Sequence, residues 1–179
     1  AATPIIAAGV PALGAVVEEL GDTGFLTLRT GLDTVCVARR VGRYPIQVLA
    51  IEVGDRRPLG VSSAGIAILA SLPTGTVRSI LAQNRQRLPV YGMGVQDSLR
   101  AITIARERGF TLRERGLVPG TRALSVTVQH QTKAGAAPVL AALTIAAVVR
   151  RLPSQRVEQV VERLRACAAQ IEGALDRPG

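Results

Sequence analysis

From Ser154 onward the chain spells out one long helix that has to be packed against something. Val157, Val160, Val161, Leu164, Ala168, Ile171 and Leu175 recur at helical spacing without a break, and Pro153-Ser154 opens the run. Two strand-like stretches precede it. Residues 123–129 alternate apolar and polar, and residues 139–148 are a longer apolar stretch, which predicts a hairpin turning across residues 133–137.

The remaining segments follow the same logic. Leu13, Val16, Val17 and Leu20 predict a helix over residues 10–20, stopped by Gly21. Residues 25–29 and 34–40 read as a hairpin around Gly31-Leu32-Asp33. Branched residues over 46–53 predict a third strand, ended by Asp55-Arg56-Arg57-Pro58. Ser62-Ser63 then caps a helix over 64–72, which stops before Pro73. A second helix is predicted over 74–86, with Val77, Ile80 and Leu81 on one face. A third is predicted over 95–108, with Leu99, Ile102 and Ala105 inward and Gly109 as its stop. Residues 110–114 form a short strand and 116–120 a loop. Strands therefore cluster at both ends of the chain with helices between. That order predicts an α+β fold, a mainly antiparallel sheet with helices packed against it. No repeat, linker or compositional break divides residues 1–179, so one domain is expected.

Composition removes several classes. Hydrophobic residues make up 47% of the 179 and charged residues 20%, which is globular rather than disordered. The apolar stretch over 134–149 is cut by Gly135 and Pro138 and is too short to span a membrane. Cys36 lies in a strand and Cys167 on a helix, and both read as small buried hydrophobes. With one histidine, His130, and no acid partner evident for it, no metal site can be assembled. The net charge is +9, and Lys133 is the only lysine among 22 basic residues. Eleven arginines between 56 and 122 meet only Asp97, Glu107 and Glu114. Yet Phe25, Tyr44, Tyr91 and Phe110 are the only aromatics, so no stacking platform for a single strand is present.

Catalytic patterns are missing as well. There is no Gly-x-Ser-x-Gly elbow, phosphate-binding loop or dinucleotide fingerprint, and Gly92-Met93-Gly94 stands alone. No catalytic residue and no cofactor are expected. The entry to the Ser62 helix is different, because first-turn N–H groups and the helix dipole favour an anion there. Plain capping explains the same serines.

At this point a family pattern emerges. Pro58-Leu59-Gly60-Val61-Ser62-Ser63-Ala64-Gly65-Ile66-Ala67-Ile68-Leu69-Ala70 resembles the Pro-Leu-His-Ala-Thr-Ala-x-Gly-Lys-Ala-x-Leu-Ala signature of the IclR family of bacterial transcriptional regulators. Arg106-Glu107-Arg108-Gly109-Phe110 is similar to its Arg-x-x-Gly-Tyr. The run from Gly120 to Val128 is similar to its Gly-Val-x-x-Ile-Ala-Ala-Pro-Val. Ala141-Ala142-Leu143-Thr144-Ile145, followed by Arg151, resembles the block before its last helix, and Glu19-Leu20-Gly21-Asp22-Thr23 resembles its opening Glu-x-Thr-Gly-Glu-Thr. The blocks come in order over residues 9–176. Ile66 stands where a basic residue is usual, Arg113 where an acid is common, Ala123 where some members have Cys, and Thr127 where Pro is usual. The segment between Val128 and Ala141 is longer than common.

The resemblance implies a GAF-like effector-binding domain, a dimer or tetramer, a small organic acid as effector and a cytoplasmic location. It also implies an N-terminal winged helix-turn-helix that contacts DNA. The chain opens Ala1-Ala2-Thr3-Pro4, without that domain and without an initiator Met, so a piece of a longer protein is expected. By position, the implied ligand contacts are Ser63, Ala64, Arg113, Ala123, Thr144 and Ala146. Ser125 joins them on the residues' own evidence, because it alternates onto the same face as Ala123. Arg113 either points inward, where it would favour a carboxylate, or alternates outward into solvent. Two other readings stay open: a stand-alone enzyme on a similar fold, which would need residues not seen here, and a basic nucleic-acid module.

Overall fold

The computed structural model describes residues 3–114, 118–130 and 139–177. Helix α1 (Thr3–Leu20) leads into the hairpin of β1 (Thr23–Thr30) and β2 (Asp33–Arg40), and an irregular segment then reaches the short β3 (Arg56–Pro58). Three helices follow: α2 (Ser63–Ala70), α3 (Thr74–Asn84) and α4 (Val95–Arg108). The chain returns through β4 (Thr111–Arg113), β5 (Thr121–His130) and β6 (Val139–Val148) to α5 (Ser154–Leu175). The six strands form one sheet in the order β3-β2-β1-β6-β5-β4, antiparallel at every neighbour. The early and late strands thus meet at the centre, as β1 against β6. The predicted turn over 133–137 and part of the loop over 116–120 lie outside the described residues.

Alternation along the strands sorts the sheet into two faces. Leu26, Leu28, Leu124, Val126, Leu143 and Ile145 pack with α1 and α5 into the larger core, where the predicted α5 stripe is buried. On the other side Leu140 and Ala142 join the cluster formed by α2, α3 and α4. Helix α1 begins well before residue 10 and runs through Pro11. The proline forfeits one helical hydrogen bond, but Ile5, buried in the α1–α5 core, secures the turn ahead of it.

The predicted strand over 46–53 is not formed; the third strand is β3, at the residues expected to terminate it. One side chain has taken two of the carbonyls that a ladder would use, and another ties the start of the segment to its neighbours. Arg39 donates to Leu49 O and Ile51 O, and Gln47 donates to Gly21 O and Tyr44 O. With those groups satisfied, the segment crosses the sheet face as a covering loop rather than pairing.

Beneath it, β2 carries a bulge. Leu26 pairs with Ala38 but Thr27 pairs with Cys36, so Val37 is the extra residue. Alternation is broken there: Ala38 joins the helix-side core, while Cys36 clusters with Phe25, Val48 and Ala146 on the opposite face. Gly54 and Asp55 then hydrogen-bond to Cys36 through backbone groups, which seats the covering loop on the bulge.

A polar cluster closes the α1 end. Asp22 is 1% exposed and accepts hydrogen bonds from Arg151 at 3.2 Å and Arg156 at 2.7 Å. Both arginines also donate to Leu20 O, one of the carbonyls left over at the end of α1. Arg151 stacks on Tyr44 of the covering loop at 4.2 Å. His130, for which the sequence shows no acid partner, has one in the fold: its Nε2 lies 2.8 Å from Asp176 Oδ1, a residue distant in sequence on the end of α5.

Candidate ligand-binding site

Helix α2 enters the sheet face end-on. Ser62 caps it, its Oγ accepting from Gly65 N at 3.0 Å. The Ser63 and Ala64 amides have no acceptor among the described residues, so two donors of the first turn stay available. They open onto a cavity of about 70 Å³ between the sheet, the α2 entry and the covering loop. Its floor comes from β1, β2, β5 and β6, and Val48 and Ile51 of the loop form its roof. Ala64, Ala123 and Ala146 all border this space. Their short side chains are the reason it is not filled.

Six of the seven expected residues line that cavity: Ser63, Ala64, Arg113, Ala123, Thr144 and Ala146. Arg113 points inward, across from Ala123, which in turn pairs with Ala146. Its guanidinium donates to Val61 O and reaches Met93 Sδ at 3.5 Å. Burial lowers its pKa from the ordinary arginine value. Ser125 is on the expected face but does not line the cavity. It is fully buried behind Ser63 and Thr144, bonded to their hydroxyls at 2.8 and 2.7 Å. Alternation gives the face of a residue, and α2 lying across that face decides its depth.

The structure adds residues that the sequence did not single out. Thr34 and Cys36 of β2 reach the cavity, and the alternation that selected Ser125 could have found them. Arg57 also lines it, from a charged run that looks like a strand terminator. Its Nε is buried with no hydrogen-bond partner among the described residues, and its guanidinium lies 5.6 Å from the Tyr91 ring centre. Asp55 is the one acid at the rim among the described residues, and its Oδ2 accepts from Glu52 N. The Cys36 thiol is pushed up to about 11 by burial and donates to Ala38 O at 3.5 Å. It is a neutral wall group at ordinary pH rather than a nucleophile. Among the described residues, no group of histidine, cysteine or acid side chains could hold a metal ion. No helix there is long and apolar enough to cross a membrane.

The family model for the bacterial transcriptional regulator IclR C-terminal domain matches residues 1–173. The chain belongs to the IclR family. Solved structures agree on the fold of this IclR domain. It is similar to the Thermotoga maritima IclR (TM-score 0.83, 20% identity, 97% of this chain and 69% of that one). It is also similar to an IclR family regulator from Brucella abortus (TM-score 0.77, 20% identity, 95% of this chain and 63% of that one). A third is an IclR homolog from Microbacterium hydrocarbonoxydans, solved in complex with 4-hydroxybenzoate (TM-score 0.76, 19% identity, 97% of this chain and 69% of that one). The IclR chain thus spans roughly two thirds of the length of these relatives. No curated protein sequence matches it. The family is one of transcriptional regulators, which removes the stand-alone enzyme reading.

Proposed function

We propose that this domain is the effector sensor of a bacterial transcription regulator, and that its ligand is a small organic acid held in the cavity at the α2 entry. The observation that carries the reading is the donor set facing that cavity. Two first-turn amides and the inward Arg57 and Arg113 border one space, with Asp55 as the only opposing acid among the described residues. A carboxylate supplies the matching charge and acceptors. The size of the cavity favours a short ligand, since a water-sized occupant takes about 10–15 Å³ on the same measure. The Microbacterium relative, which holds 4-hydroxybenzoate, supports an acid as the chemical class.

In this reading the acid shifts the balance between two quaternary arrangements of a dimer or tetramer. A winged helix-turn-helix elsewhere in the polypeptide contacts DNA, and the protein works in the cytoplasm. The test is a thermal-shift screen of this chain against short aliphatic and aromatic carboxylates. A ligand at a hundred times its Kd adds about 2.7 kcal/mol. In a domain of this size that raises the Tm by roughly 5–10 °C. Arg113→Ala should abolish the shift while leaving the unliganded Tm within a few degrees. Unchanged affinity in that variant would remove Arg113 from the site, and a flat response across the panel would defeat the acid reading.

A further inference from the structure

The cavity is polarised in a way that charge alone does not reveal. A hydroxyl or thiol has one hydrogen to give. Ser63 Oγ gives its hydrogen to Ala123 O at 3.1 Å, so Ser125 must donate to Ser63, as its 2.8 Å contact shows. Ser125 then has nothing left for Thr144, and Thr144 Oγ1 must donate to Ser125 across 2.7 Å. The chain therefore runs one way, Thr144 to Ser125 to Ser63 to the backbone. Thr144 faces the cavity with lone pairs only.

Neighbouring wall groups are committed in the same sense. Thr34 Oγ1 donates to Arg57 O at 3.3 Å, Cys36 Sγ to Ala38 O, and Thr121 Oγ1 to Val118 O at 2.6 Å. Of the cavity's hydroxyls, only those of Thr27 and Ser62 keep an uncommitted hydrogen among the described residues, and Ser62 stands with the donors at the helix entry. One end of the cavity donates hydrogen bonds; on the sheet floor Thr144 only accepts them, and Thr27 can give one or accept one. A bare carboxylate has no hydrogen to give Thr144.

We infer that the ligand is a short hydroxy acid, its carboxylate on the α2 entry and its hydroxyl donating to Thr144 Oγ1. The inference rests on the organic-acid reading and narrows it. An amino acid is the competing occupant. Its ammonium would sit on Asp55 at the rim, whose carboxylate keeps acceptors beyond the one used by the Glu52 amide, and not on Thr144.

The test is calorimetric titration of this chain with matched pairs: acetate against glycolate, and propionate against lactate and 3-hydroxypropionate, with alanine alongside. The hydroxy acid of at least one pair should bind ten-fold or more tightly than its parent. Thr144→Val should bring that ratio close to one. Ser125→Ala gives an independent reading, because it releases the Thr144 hydrogen toward the cavity. The hydroxyl preference should then fall and the parent acid should gain. If parent acids bind and their hydroxy partners do no better, the hydroxyl inference is overturned while the acid reading stands. Preference for alanine, or a hydroxyl preference that survives both substitutions, also overturns it. Absence of binding by every acid defeats both.

Discussion

Cys36 and Cys167 are the residues whose chemistry the fold alters most. Each thiol is pushed up to about 11 by burial, from an ordinary value of 9.0. The folded state holds them neutral, so above pH 9 the unfolded chain ionises first. Their contribution to stability is whole below pH 9 and is lost as the pH rises to 11. Urea midpoints between pH 8 and 11 should fall for the native sequence, and the fall should be shallower in a Cys36→Ala, Cys167→Ala double variant. An unchanged slope would show that the thiols are not shielded as described. Their burial was legible in the sequence from the apolar neighbours of each. The place of Cys36 on the cavity wall follows its alternation with Thr34, which the bulge at Val37 interrupts only before Ala38.

At the scale of elements, the covering loop is held by close backbone packing as much as by hydrogen bonds. A Cβ on Gly42 would lie 2.1 Å from Gly21 O, a backbone atom that cannot swing aside. Gly42→Ala should therefore lift the start of the loop from α1 and cost roughly 1–3 kcal/mol in denaturant unfolding. Ligand affinity should drop in the same variant, since Val48 and Ile51 form the roof. A variant with native stability would mean that the loop seats elsewhere. This loop is also where reading the sequence failed. The branched residues over 46–53 have genuine strand character. What overrides it is a pair of side chains: Arg39 takes the Leu49 and Ile51 carbonyls, and Gln47 ties the segment to Gly21 and Tyr44. No pattern within the segment announces that competition. The α5 stripe and the β1–β2 hairpin were legible because their partners are dictated by their own periodicity.

Across the whole molecule, the Asp22 cluster joins the first helix, the first strand and the last helix. Removing one side of a buried ion pair leaves the other charge without compensation. Asp22→Ala should destabilise the domain by about 3 kcal/mol, read from chemical unfolding, with both transitions of a fluorescence and circular-dichroism pair shifting together. A loss below about 0.5 kcal/mol would place the cluster among ordinary surface pairs. The organisation of the site was legible at this scale in part. The ordered motif blocks named six residues that line one cavity. They could not supply Arg57 or the direction of the hydroxyl chain, both of which depend on how distant elements meet.

The bulge at Val37 gives the cavity an address that is kept by counting. Residues 34 and 36 face the cavity and residue 38 the helix-side core only because one extra residue intervenes. Deleting Val37 would make Cys36 and Ala38 neighbours on opposite faces of a regular ladder, so Thr34 and Cys36 would stay on the cavity side while the local kink was lost. A related gene could thus lose this single codon and keep the same residues on its pocket floor.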